Sequence, residues 1–211
     1  MNKNKIIIIL LAILAVLIIF NQFQILSLSK LDSATGLATG VAQVSALDIL
    51  PKGIPEVYGK ELGVSYDDVN INTQQKADAT IRKLGQLDTS LNLDGDLLKR
   101  YIKITNSISC EYCCGAQAIT FPDGEAACGC AHSFAMRGLA KYLLKEHSQM
   151  SDDAILEELG KWKTLFFPEI LKSKASVLKE KGIEFNYINL ASNKYRGIEQ
   201  GNAQGNMVGG C

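Results

Sequence analysis

The chain has 211 residues, with 22 Lys and Arg against 22 Asp and Glu and a formal net charge of zero. That balance excludes a basic surface for nucleic acid and an acidic solvating tail. Beyond an apolar N-terminus, roughly 180 residues remain, enough for one domain with a real core or a small domain plus a stalk, but not for two full-sized domains.

In chain order, Lys3 and Lys5 precede an apolar run from Ile6 to Phe20 that continues through Phe23, Ile25, Leu26 and Leu28. As one helix, residues 6–26 span roughly 30 Å at about 1.5 Å per residue, so residues 1–29 read as a single-pass transmembrane signal-anchor with the lipid bilayer as partner. The rival reading is a cleaved signal peptide, with Ser27-Leu28-Ser29 as a small-x-small cleavage site. The lysines before the span place the N-terminus in the cytoplasm, and on either reading the remaining domain lies outside the cytoplasm. Residues 30–50, with the near-repeat Ala34-Thr-Gly36-Leu-Ala-Thr-Gly40, read as a small-residue stalk. The alternative is a continuation of the membrane helix, which Gly36 and Gly40 oppose by about 1 kcal/mol each.

Pro51, Gly53 and Pro55 punctuate the entry to a helical domain over residues 51–196. The spacing predicts a helix over residues 73–87, with Ala77, Ile81 and Leu84 on one face and Asp78 to Arg82 at i,i+4. Asp94 is placed to cap a second helix carrying Leu97, Leu98, Tyr101 and Ile102. Both read as core.

Five of the six cysteines then fall between residues 110 and 130, as Cys110-Glu-Tyr-Cys113-Cys114 and Cys128-Gly-Cys130-Ala-His132. Thiols this dense bind a soft metal, close disulfides or exchange electrons. Cys110-x2-Cys113 has the spacing of a knuckle whose two thiolates converge on one ion. Residues 118–121 and 125–128 flank Pro122-Asp123-Gly124, which suits a tight turn and predicts a short β-hairpin that returns the second pair to the first. From Ala131 the pattern turns helical, with Phe134, Met136, Leu139 and Leu143 inward and Arg137, Lys141 and Lys145 toward solvent. Cys128 and Cys130 then sit at a helix N-terminus, where the dipole favours thiolate. Knuckle, hairpin and second pair at a helix start is a treble-clef-like order, so the expected fold is mainly α with one cysteine-bearing hairpin.

The expected ligands of one tetrahedral ion are Cys110, Cys113, Cys128 and Cys130, with Cys114 and His132 as alternates. The ion is Zn2+ or Cu+, and the surplus thiols argue for a second soft ion, a cluster or a redox pair. Cys113 and Cys114 could also join as a vicinal disulfide. His132 is a ligand or a helix cap, while His147 complements the C-terminal dipole of the same helix.

Further on, Ser151 reads as an N-cap followed by Asp152 and Asp153, opening a helix with Ile155, Leu156, Leu159 and Trp162. Phe166 and Phe167 precede Pro168, which opens another helix ending at Gly182. Residues 183–190 read as one strand. Residues 197–211 read as a flexible Gly-rich tail ending in Cys211, whose thiol and terminal carboxylate could complete the cluster.

The cysteine cluster, the helix from His132 to His147 and the run Met150-Ser-Asp-Asp-Ala-Ile-Leu-Glu-Glu-Leu159 resemble cysteine-rich, membrane-anchored archaeal proteins of unassigned function. They are more distantly similar to secreted PCYCGC-motif proteins, thought to bind metal, and to the thiol-reductase subunit of cytochrome c maturation. The likeness covers residues 107–168 and departs from both in having Cys-Gly-Cys without the full string and two cysteine groups instead of one. It implies metal or thiol chemistry. No Gly-x-Ser-x-Gly, phosphate loop or His-Glu-x-x-His competes. The sequence therefore predicts a metal-binding protein, with a thiol-disulfide oxidoreductase or a disulfide-stapled interaction module as the alternatives.

Overall fold

The computed structural model describes residues 49–200 and 207–209. The expected anchor, the stalk up to residue 48 and Cys211 lie outside the described residues. The expected membrane localisation is corrected: no helix among the described residues is long and apolar enough to cross a bilayer.

The described residues form seven α-helices: α1 (Gly59–Leu62), α2 (Gln74–Ser90), α3 (Gly95–Asn106), α4 (Ala131–Glu146), α5 (Asp152–Phe166), α6 (Pro168–Glu180) and α7 (Tyr187–Ala191). Short 3-10 turns cover Tyr66–Asp68 and Asn193–Tyr195. The mainly helical class is as the periodicity implied. In α2 the buried positions are Ala77, Thr80, Ile81 and Leu84, the i, i+3, i+4, i+7 stripe of a helix covered on one side. Helix α4 differs, because Ala135, Met136, Arg137, Gly138, Leu139 and Ala140 are all buried in succession. It is the central element, packed on α2, α3 and α5.

Close packing on α2 requires Gly138, since a Cβ there would lie 2.1 Å from the Leu84 carbonyl oxygen. Gly160 plays the same part in α5, where a Cβ would lie 2.6 Å from the Tyr187 carbonyl oxygen of α7. Ser151 caps α5 through a 3.1 Å bond from the Ala154 N–H, and Pro168 stands in the first turn of α6, both as expected.

Three expectations need correction. The hairpin is reduced to one isolated bridge, Thr120 to Ala126, around the turn at Gly124 (φ +93°). Its arms bond each other only through the Phe121 N–H to the Glu125 carbonyl (2.7 Å) and the Ala127 N–H to the Ile119 carbonyl (3.2 Å), while the first arm also turns to the Ile108 carbonyl through the Ile119 N–H at 3.0 Å and to the Thr105 hydroxyl through that of Thr120 at 2.6 Å. The treble-clef-like order therefore has no β ladder. Residues 187–190 are helical instead of extended, because the Asn186 side chain caps α7 by accepting from the Asn189 N–H at 2.7 Å. Arg137 is 1% exposed instead of facing solvent, because its guanidinium is enclosed between Asp88 of α2 and the carbonyls of Ile119 and Cys128.

Candidate metal centre

The segment from Ser107 to Cys114 has almost no regular structure of its own and is held by side chains from elsewhere. Asn193 Nδ2 donates to the carbonyls of Asn106 (3.1 Å) and Gln117 (2.9 Å). Arg196 Nη1 donates to Ser109 Oγ (2.7 Å) and the Ala116 carbonyl (2.8 Å), and its Nη2 donates to the Gly115 carbonyl (3.0 Å). On the second cysteine group, Arg137 Nη1 donates to the carbonyls of Cys128 (2.8 Å) and Ile119 (3.2 Å). Buried carbonyls need such donors. Nothing in local sequence pattern marked Asn193, Arg196 or Arg137 for this role, because their partners are backbone groups about 10 to 90 positions away.

Cys130 is the N-cap of α4, its sulfur accepting from the Ser133 N–H at 3.4 Å. Ser133 Oγ lies 3.4 Å from the same sulfur, and Cys110 Sγ lies 3.3 Å away in a shared sulfur–sulfur hydrogen bond. The Cys110 thiol, His132 and Ser133 all stabilise a Cys130 thiolate and outweigh its burial, so Cys130 is held far below the ordinary thiol range. Cys110, bonded to that anion and buried, is pushed up.

His132 completes the group. The ligand atoms of Cys110, Cys130 and His132 all lie within 4.8 Å of one another, and all three residues are buried. His132 Nε2 lies 2.8 Å from the Val208 carbonyl oxygen. A carbonyl only accepts, so Nε2 donates its proton to it. An imidazole fixed by a backbone carbonyl through its other nitrogen is the usual outer support of a metal-ligating histidine. Val208 is itself fully buried and donates its N–H to the Phe166 carbonyl at 2.8 Å. The rings of Phe166 and Phe167 pack on the imidazole with centroids 4.6 and 5.1 Å away.

The donor set fits a soft ion. Two sulfurs about 2.3 Å from one tetrahedral ion lie roughly 3.8 Å apart, so the Cys110 and Cys130 sulfurs, 3.3 Å apart, would separate by about 0.5 Å to share one. The cluster could therefore bind a metal.

The structure redistributes the expected ligands. Cys110, Cys130 and His132 come together, whereas Cys128 faces Cys114, their sulfurs at disulfide distance and their Cα atoms 6.8 Å apart. The expected set of four cysteines and the vicinal Cys113–Cys114 disulfide are both corrected: the turn over residues 111–114 points Cys114 at Cys128. Cys113 is half-buried. His147 caps the end of α4 and bonds Glu61 at 2.9 Å.

A second buried cluster adjoins the first. Glu111 follows Cys110 in the chain, and its Oε1 accepts from Lys163 Nζ (2.9 Å) and Lys174 Nζ (3.3 Å). Both lysines are fully buried. Burial alone would raise Glu111, yet the two ammonium groups outweigh it and hold the carboxyl below its ordinary range. No family model, curated protein or solved structure matches this chain.

Proposed function

We propose that the protein binds a soft metal ion, Zn2+ or Cu+, through Cys110, Cys130 and His132. The observation that carries this reading is the convergence of two cysteine sulfurs and an imidazole in a buried site, with Nε2 of the imidazole held by the Val208 carbonyl. Such an outer hydrogen bond fixes the tautomer a ligand needs. Cys113 and Cys211 are the further ligands this reading offers to an ion that takes four. The resemblance to PCYCGC-motif proteins points the same way.

The test is elemental analysis of the full chain, purified and reconstituted anaerobically. We expect about one equivalent of zinc or copper in the wild type, and loss of it in Cys110→Ser, Cys130→Ser and His132→Gln. Cys114→Ser should retain it. A wild type that takes up neither ion after reduction, or a Cys110→Ser variant that binds as well as the wild type, would overturn the reading.

A second reading rests on the Cys114–Cys128 pair beside the Cys110–Cys130 pair, which together could exchange thiol and disulfide. Metal-free protein that reduces insulin at rates typical of thioredoxin-like enzymes would favour it.

A further inference from the structure

Cys110, Cys130 and His132 supply three donors, and a tetrahedral ion takes four. Cys114 and Cys128 are directed at each other, their sulfurs at disulfide distance. Cys113 is not among the side chains whose ligand atoms all fall within 4.8 Å of one another, although two sulfurs on one tetrahedral ion stand only about 3.8 Å apart. The cysteine segment itself therefore offers no fourth donor in position.

A segment from far along the chain is already seated against the site. Val208 is fully buried, donates its N–H to the Phe166 carbonyl at 2.8 Å and accepts from His132 Nε2 at 2.8 Å. Gly209 follows with φ +83°, and a Cβ there would lie 2.2 Å from Ile81 Cδ1 and 3.5 Å from His132 Nε2. A side chain at this position would collide with Ile81, so the bare backbone runs beside the imidazole, in a conformation that glycine adopts without steric cost. Cys211, outside the described residues, comes two positions after Gly209. Two residues span at most about 7 Å from Cα to Cα, and the ligand atoms of Cys110 and Cys130 lie within 4.8 Å of that of His132. The seating of Val208 and Gly209 thus tethers one more thiol within reach of the same ion.

We propose that Cys211, and not Cys113, is the fourth ligand, so that Cys110, Cys130, His132 and Cys211 form a closed Cys3His centre. The inference rests on the metal reading above and assigns the place that reading leaves between two cysteines. The ion enters as each coordinating thiol gives its proton to solvent, and no electron moves. Three sulfurs and one imidazole leave no open position for water or substrate, which is the coordination of a structural or stored ion and not of a catalytic one. The ion also ties the segment carrying Val208 to the first turn of α4, so part of its binding free energy holds that segment in place.

The full chain would be titrated anaerobically with Zn2+ against 4-(2-pyridylazo)resorcinol and with Cu+ against bicinchoninate, and loaded with Co2+ as a spectroscopic stand-in for Zn2+. Cys211→Ser should weaken binding of whichever ion the wild type takes by about tenfold or more, at least the loss that follows removal of an outer-shell partner, while Cys113→Ser leaves the affinity unchanged. The sulfur-to-cobalt charge-transfer absorbance should fall by about one third in Cys211→Ser, three thiolates becoming two. Cys211→His should regain the tetrahedral cobalt spectrum with the sulfur absorbance still reduced. In the unaltered chain, Cys211 should react with iodoacetamide when metal-free and resist it when loaded, a readout that does not depend on any variant folding. A wild type that binds neither Zn2+ nor Cu+ overturns the metal reading itself. A Cys211→Ser variant that binds as tightly as the wild type, a Cys113→Ser variant that takes the loss instead, or a Cys211 equally reactive with and without the ion overturns the assignment of Cys211 and leaves the three-ligand site standing.

Discussion

Arg137 joins two parts of the molecule that share no secondary structure. Its Nε bonds Asp88 Oδ2 on α2 at 2.7 Å, with side chains 1% and 8% exposed, while Nη1 holds the Cys128 and Ile119 carbonyls. Removing one partner of a buried pair costs about 3–5 kcal/mol because the other charge stays buried and uncompensated. Lys141 Nζ remains 2.8 Å from Asp88 and softens that loss. Arg137→Met should therefore destabilise by about 3 kcal/mol in urea unfolding, and a loss under about 1 kcal/mol would mean the guanidinium is not the clamp described. At this scale the sequence was legible where chemistry is local. Cys130 and His132 lie at the start of α4, as the helical pattern from Ala131 places them. The Cys110–Cys130 pairing and the burial of Arg137 were not legible, since each depends on how a loop crosses α4, and a charged residue beside an apolar stripe is ordinarily solvated.

Among the elements, the α2–α4 contact matters most to the site, because α4 presents Cys130 and His132 in its first turn. Helix existence followed directly from period: α2, α3 and α5 begin just after Thr73, Asp94 and Ser151, and α6 begins at Pro168, although Thr73 and Asp94 make no side-chain cap and Ser151 does. The strand failed and the hairpin is present only as a single bridge, since both were inferred from short segments whose backbone partners a sequence does not name. Gly138 sets the helix separation, and Gly138→Ala must push α4 away from the Leu84 carbonyl, with an expected cost of about 1–3 kcal/mol or more. Gly129, inside Cys-Gly-Cys, is the control. A Cβ there meets nothing within 4 Å, and its φ is not in the left-handed range, so Gly129→Ala should stay within about 0.5 kcal/mol of wild type. Thermal melts of the two variants measure the difference, and equal melting temperatures would remove Gly138 from its assigned role.

Across the whole molecule, tyrosine hydroxyls connect segments far apart in the chain. Tyr58 and Tyr66, from the entry segment, both donate to Glu158 on α5 (2.9 and 2.5 Å). Tyr112 reaches Glu199, Tyr142 reaches Glu61 at 2.7 Å, and Tyr187 reaches the Ile49 carbonyl at 3.1 Å. Burial first, and adjacent carboxylates after it, push the phenols of Tyr58, Tyr66, Tyr112, Tyr142 and Tyr187 up, Tyr142 to about 12. Tyr101, buried near Asp88, is also raised. The linkage sign follows: an unfolded tyrosine loses its proton near pH 10 while the folded one keeps it, so the unfolded state binds fewer protons above that pH and stability falls. Lys163, pushed down to about 8 by burial against the pull of Glu111, acts oppositely. Its unfolded form holds the proton up to about pH 10.4, so stability rises through the window from about 8 to 10.4. One lysine and six tyrosines give a shallow gain that turns into a steep loss beyond about pH 10. An alkaline titration followed at 295 nm should show phenolate absorbance rising as a cooperative step that coincides with loss of helical circular dichroism. Gradual ionisation of all the tyrosines near pH 10 with the helical signal intact would show that these hydroxyls lie open to solvent and that the long-range connections do not hold the fold.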